Sequence, residues 1–216
     1  MTRQPMPSQR FGPCQSQFGV APDGLRLVQE FLNTVPSRDR DTDALADVKL
    51  AGDWCAAAVS QWAAFRNTDA GPPPLKADDL PKLRDLRHGI AKMVSGGSLD
   101  RKQLSCVNSV YAAFAFSHSG SFRIKPTGSG WRWLASALFI EIHLSQQDDS
   151  WRRIKQCREP SCETTFYDRS KNNSGAWCNA KTCGNAANLR ASRARRRAGR
   201  AATAPEAPPS RPTRSR

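Results

Sequence analysis

At 216 residues and 38% apolar content, the chain is long enough for one ordinary domain plus a small appendage, and too apolar to be wholly disordered. Its formal charge of +14 is unevenly placed: residues 1–150 carry 17 Lys/Arg against 15 Asp/Glu, whereas residues 151–216 carry 16 against 4. A surplus confined to one end implies a polyanion partner for that end, nucleic acid first, with a merely solubilising basic tail as the alternative.

Residues 1–18 are rich in Pro, Gln and Ser and are expected to be a flexible lead-in without the apolar stretch of a signal peptide. The longest apolar run, Leu134 to Ile140, is interrupted by Ser136 and too short to span a bilayer, so no membrane is expected and the cytoplasm is the expected compartment. There Cys14, Cys55 and Cys106, isolated from one another, read as small buried or loop thiols.

Leu25, Val28, Phe31, Leu32 and Val35 recur at helical spacing before Pro36. Asp43 is the expected cap of a helix through Leu45 and Val48, and Asp53 of another presenting Trp54, Val59, Trp62 and Phe65. Prolines 72–74 then enforce an extended break. Asp78 or Asp79 opens an amphipathic helix whose stripe is Leu80, Leu83, Leu86, Ile90, Met93 and Val94, ended by Gly96-Gly97. A further helix is expected after Ser98, carrying Leu104, Val107, Val110, Tyr111 and Phe114. FRIK (122–125) and WRWL (131–134) alternate apolar and basic residues around a turn-rich PTGSG and read as a β-hairpin. Ala135 to Leu144 reads as a last buried helix.

The most informative residues come next. Cys157 and Cys162 in CREPSC, and Cys178 and Cys183 in CNAKTC, form two pairs of equal spacing separated by fifteen residues. Four soft sulfur donors in two close pairs suit one tetrahedral Zn(2+), and filling all four positions with sulfur leaves none for water or substrate, which argues for a structural metal. Two disulfides, or a redox switch built on them, are the rival readings. Between the pairs, TTFYDRSKNNSGAW supplies a short aromatic strand and a polar turn. After Cys183, GNAANLRASRARRRAG has high helix propensity, with a start at Gly184-Asn185 and a stop at Gly199. Arg190, Arg193 and Arg197 share one face of that helix, Arg195, Arg196 and Arg200 widen it, and no acidic residue lies between Asp168 and Glu206. Arginines without intrahelical carboxylates are poorly explained by helix stability and well explained by phosphate, or by a guanine edge in a major groove.

The segment RIKQCREPSCETTFYDRSKNNSGAWCNAKTCGNAANLRASRARRR resembles the CGNR-type zinc finger of bacterial transcription regulators. In that family the finger follows a mostly helical domain called ABATE, whose early helix carries a segment similar to QEFLNT at 29–34. The resemblance spans roughly residues 19–198 and implies that Cys157, Cys162, Cys178 and Cys183 are metal ligands. Phe166, Asp168, Ser170, Lys171, Asn172, Trp177, Gly184 and Asn185 match the surrounding pattern. Ala186 replaces the arginine that gives the family its name, and Asn188 stands where lysine is usual. DNA binding and regulation are the implied functions.

Enzymatic readings find little support. His88, His118 and His143 are scattered, and Glu141 and His143 fall on different sides of a helix. There is no His-x-Glu deaminase pattern, Gly-rich phosphate loop or Gly-x-Ser-x-Gly elbow. The expected fold is α+β, mainly α: a helical domain with a small hairpin over 19–150, a four-cysteine zinc finger with a basic helix over 151–200, and a disordered tail over 201–216. The expected function is zinc-dependent binding of duplex DNA, with Lys171, Asn172, Arg190, Arg193, Arg196 and Arg197 as contacts. The rivals are an RNA-binding or ribosome-associated protein, and a protein-interaction finger joined to a domain that senses a small-molecule effector.

Overall fold

The computed structural model describes residues 19–36, 41–97, 110–116 and 120–202, with side chains to Ala198. The expected lead-in, most of the tail, the helix beginning after Ser98, and Cys14, Cys106, His118 and the Arg200 side chain lie outside these described residues.

Among the described residues the chain is mainly helical, with two small two-stranded sheets, which is the expected α+β class. Helix α1 covers Leu25–Leu32 and buries Leu25, Leu27, Val28, Phe31 and Leu32. Helix α2 covers Val48–Arg66 and corrects the expectation of two short helices. Its cap is Asp47, whose carboxylate accepts from the Leu50 N–H at 2.8 Å. Asp53 instead lies inside α2 and pairs with Lys49 one turn back. Asp43 accepts the Leu45 N–H and forms a two-bond ion pair with Arg87. Nothing in VKLAGD breaks a helix, so the helix that Asp47 caps continues through Asp53. Helix α3, Asp79–Val94, follows its expected stripe, with Leu80, Leu83, Leu86 and Ile90 buried. Its end is closed by the Gly97 N–H bonding the Lys92 carbonyl at 2.9 Å, with Gly96 at φ +75°.

The expected hairpin is displaced. FRIK belongs to β2 (Phe122–Pro126), but its antiparallel partner is β1 (Ala112–Phe116), so Tyr111 and Phe114 do not extend a helix. WRWL opens α4, Trp131–Gln147, which contains the expected 135–144 helix. Trp131 and Leu134, three apart, are both buried, so the apparent period of two is the first turn of a helix that is apolar on most sides. Helix α4 is the centre of the domain and packs on α1 and α3. In its middle, buried Glu141 accepts from Trp62 Nε1 and from Arg66 Nε, both at 2.7 Å, and ion-pairs with Arg66. Gly24 abuts this carboxylate so closely that a Cβ would sit 1.9 Å from it, so a side chain where α1 begins would have to displace the Glu141 carboxylate. A cleft of about 260 Å³ opens beside the pair, lined in part by Gly24, Phe65, Arg66 and Asp148.

After the turn at Trp151–Arg153 come β3 (Ile154–Gln156) and β4 (Thr165–Tyr167), then α5 (Asn185–Ala202). Helix α5 runs through Gly199, the expected stop, because a single interior glycine costs only about 1 kcal/mol among strong helix formers. Among the described residues, no helix is long and apolar enough to cross a membrane.

Candidate metal centre

The finger is built on the β3–β4 ladder, in which Ile154 opposes Tyr167 and Lys155 opposes Phe166. The Cys157 N–H prolongs that ladder to the Thr164 carbonyl at 2.9 Å, and the Cys162 N–H closes the first knuckle on the Glu159 carbonyl at 2.8 Å. The second knuckle is turned by Asn179, whose side chain accepts from the Lys181 and Thr182 N–H groups at 2.9 and 3.2 Å. A wide turn over Ala180–Gly184 then leads directly into α5. Asn185 donates to the Lys181 carbonyl at 2.8 Å, and the space beside Gly184 is taken by Trp177, 3.2 Å from where a Cβ would lie. The Gly-Asn dipeptide thus does specific work: glycine admits the indole, and asparagine ties the turn to the helix. The two knuckles are joined where the Arg158 N–H reaches the Ala176 carbonyl at 3.0 Å.

This scaffold brings all four sequence-predicted cysteines together. Their sulfurs lie within 4.8 Å of one another, with Cys162–Cys178 at 3.6 Å and Cys178–Cys183 at 3.7 Å. A tetrahedron of metal–sulfur bonds of about 2.3 Å has edges of about 3.8 Å. Disulfide sulfurs would sit about 2.05 Å apart, and all four thiols are free, so the geometry fits a metal and disfavours the disulfide rival. Cys157, Cys178 and Cys183 are buried residues and Cys162 is a half-buried one. The Cys178 thiol beside it holds Cys162 down at about 4, while the same contact and burial drive Cys178 far above the ordinary thiol range. Burial also raises Cys157. Crowded sulfurs resist ionising together unless a cation shares them, and a bound metal supplies that charge.

Around the sulfurs lie polar supports. Asp168 is fully buried and accepts from Lys155 Nζ at 2.7 Å, Ser170 N–H at 2.9 Å and Gly175 N–H at 2.6 Å. Burial by itself would raise its pKa, but the Lys155 ammonium and these N–H groups outweigh burial and hold it well below the carboxylate range. Lys155 also donates to the Asn173 and Gly175 carbonyls, so this pair shapes the turn that carries Lys171 and Asn172, both exposed.

Of the predicted contact residues on α5, Arg193, Arg196 and Arg197 are exposed, and no ion pair holds them among the described residues. Arg190 is different. Its guanidinium grips buried Glu159 of the first knuckle with both terminal nitrogens, and Ser161 donates to the same carboxylate at 3.1 Å. The Arg190 side chain remains 49% exposed, and the ion pair ties the helix to the first knuckle. Sequence reasoning missed Glu159, although it is the single acidic residue inside either cysteine knuckle.

A second omission concerns QEFLNT. Asn33 Nδ2 donates to the Thr165 carbonyl at 2.8 Å and Asn33 Oδ1 accepts from the Thr165 N–H at 2.7 Å, as a neighbouring strand would. Gln29 adds a 3.3 Å bond to the same carbonyl, and Ile154 of β3 joins the helical core. This segment of α1 therefore docks the finger's hairpin on the helical domain. Asn33→Leu should leave the buried Thr165 N–H without its partner and the Thr165 carbonyl with the Gln29 bond alone, and cost about 2 kcal/mol. The check is two-probe unfolding: the finger should lose protection at lower urea than α2 and α4, and coincident wild-type-like transitions would show that docking does not depend on Asn33.

No curated protein matches the chain. The family model of the CGNR zinc finger matches residues 153–196, the stretch that holds the four cysteines and most of α5. The ABATE model, described as "putative stress-induced transcription regulator", matches residues 25–139, from the start of α1 into α4. With more than half of its residues matched by that model, followed by the finger in the order the sequence implied, the chain belongs to the ABATE family of regulators and carries a CGNR zinc finger.

Proposed function

We propose that this chain is a zinc-dependent, DNA-binding transcription regulator of the cytoplasm, in which Cys157, Cys162, Cys178 and Cys183 hold one Zn(2+) and α5 docks on duplex DNA. The observation that carries the reading is the anchoring of an otherwise unpartnered arginine helix to the metal knuckles through Arg190–Glu159. Zinc closes the finger and performs no chemistry on a substrate, since four sulfur ligands leave no open coordination position. Arg193, Arg196 and Arg197 meet phosphates or a base edge, and Lys171 and Asn172 extend the contact. A reducing cytoplasm keeps the thiols available to the metal. The cleft beside Arg66 and Glu141 adjoins the start of α1, whose other end holds the finger. It is the proposed seat of a small-molecule effector.

Duplex selection with zinc present, followed by competition against structured RNA, tests the reading. An arginine helix fits the wide major groove of B-form DNA better than the narrow one of A-form RNA, so a selected duplex should compete the better. Preferential competition by RNA would move the protein to the RNA-binding class. Absence of binding to either would leave the finger as a protein-interaction module.

A further inference from the structure

The β1–β2 ribbon presents an apolar surface that, among the described residues, neither the domain core nor the finger uses. Cross-strand pairs share a face, so the register Ala112–Pro126, Phe114–Ile124 and Phe116–Phe122 places six apolar side chains together. Phe114, Phe116 and Phe122 are 67%, 75% and 54% exposed. They already form a cluster, with Phe122 stacked on Phe114 at 5.1 Å and edge-on to Phe116 at 5.3 Å. The opposite face carries Ala113, Ala115, Arg123 and Lys125, and it is the tethered one: Arg123 donates to the Asn67 carbonyl at the end of α2. The base of the ribbon is fixed on α4, where Ser136 donates to the Tyr111 carbonyl at 2.6 Å and Thr127 donates to the same oxygen. A two-stranded ribbon is only marginally stable alone, and this one turns its aromatic face outward.

We propose that this face is the dimer interface of the protein and that its occupant is the same face of a second copy. Three phenylalanines so exposed, with their apolar neighbours, offer roughly 500 Å² per chain, taking about 200 Å² for each full aromatic side chain. Two copies then bury roughly 1,000 Å², the lower bound for a specific interface. The face carries no charge, so a two-fold axis brings no like charges together, because Arg123 and Lys125 lie behind it. A charged partner finds nothing on it to recognise, whereas a second copy offers the same uncharged apolar face across a two-fold axis. One consequence rests on the proposed function: a dimer carries two fingers and suits a DNA site of two half-sites.

The test is the mass of the full-length, zinc-loaded protein without nucleic acid, so that its failure is separate from any failure of DNA binding. Sedimentation should show a monomer–dimer equilibrium with the dimer dominant by about 100 µM, as an interface of this small size allows. Phe114→Ser with Phe122→Ser should weaken the dimer about 100-fold or more, since each aromatic is lost twice across the axis. Ala113→Glu, on the tethered face, should leave it intact. Amide exchange across 112–116 in the unaltered protein gives a reading that needs no variant, and it should slow as concentration rises. A wild-type monomer at that concentration, exchange independent of concentration, or a dimer indifferent to the double substitution would each overturn the proposal. In those cases the face is covered by another part of the chain or by a different protein.

Discussion

Stripping the metal, or replacing Cys183 by Ser, should destroy the order of the two cysteine knuckles and α5 and leave the helical domain folded. The finger's own apolar cluster contains, apart from the sulfurs, Phe166 and the partly buried Trp177. Full burial of one such side chain contributes about 3 kcal/mol, far less than ordering some forty residues costs at about 1 to 2 kcal/mol each. Structural zinc in small fingers contributes about 10 to 16 kcal/mol. The structure also refines where the loss stops. Ile154 is part of the helical core and Thr165 is held by Asn33, so the β3–β4 hairpin should outlast the knuckles and α5. Elemental analysis should find one zinc per chain, and amide exchange after chelation should show α5 unprotected while α2 and α4 stay protected. A reduced, metal-free protein with a protected α5 would contradict the assignment of the site.

The second large effect concerns salt. With Arg190 occupied by Glu159, the described cations best placed for phosphate are Arg193, Arg195, Arg196 and Arg197 on the helix, with Lys171 in the turn. About five phosphate contacts should make log affinity for duplex DNA fall against log salt with a slope of about −4 to −5, because each neutralised phosphate releases nearly one counterion. Arg193→Ala with Arg197→Ala should flatten that slope by about two and weaken all sequences alike where both residues touch backbone. Where one of them reads a base edge, about 1 to 3 kcal/mol should be lost on the preferred site alone. Titrations at several salt concentrations distinguish these outcomes, and binding that ignores both salt and the double substitution would remove the helix from the interface.

The four cysteines were legible without coordinates because metal ligation imposes spacing on sequence: two equal knuckles and small polar residues between their members. The amphipathic stripe of α3 and the buried segment inside α4 were legible because one-sided or complete burial leaves a periodic record. Short elements were not. WRWL satisfied a strand pattern over four residues, and only its packing, with Trp131 and Leu134 both in the core, made it a helical turn. Likewise Asp43, Asp47 and Asp53 are equally good caps in isolation. Which one caps was decided by Arg87 drawing Asp43 into an ion pair and by an uninterrupted helix carrying Asp53 into its interior.

What the sequence by itself determined is the chemistry: a cluster of four sulfur donors, a basic helix directly behind it, and a helical domain ahead of it. What only the tertiary structure decided is which side chains are spoken for. Arg190 shares its guanidinium with Glu159, thirty-one residues earlier, a partner that the helix itself does not reveal. Asn33 is completed by Thr165, 132 residues later, which nothing near it in the chain announces. The physical reason is common to both cases. Composition and periodicity record how much burial and charge a segment carries, but a pair between distant segments exists only once the chain has folded, and neither partner marks the other in the sequence.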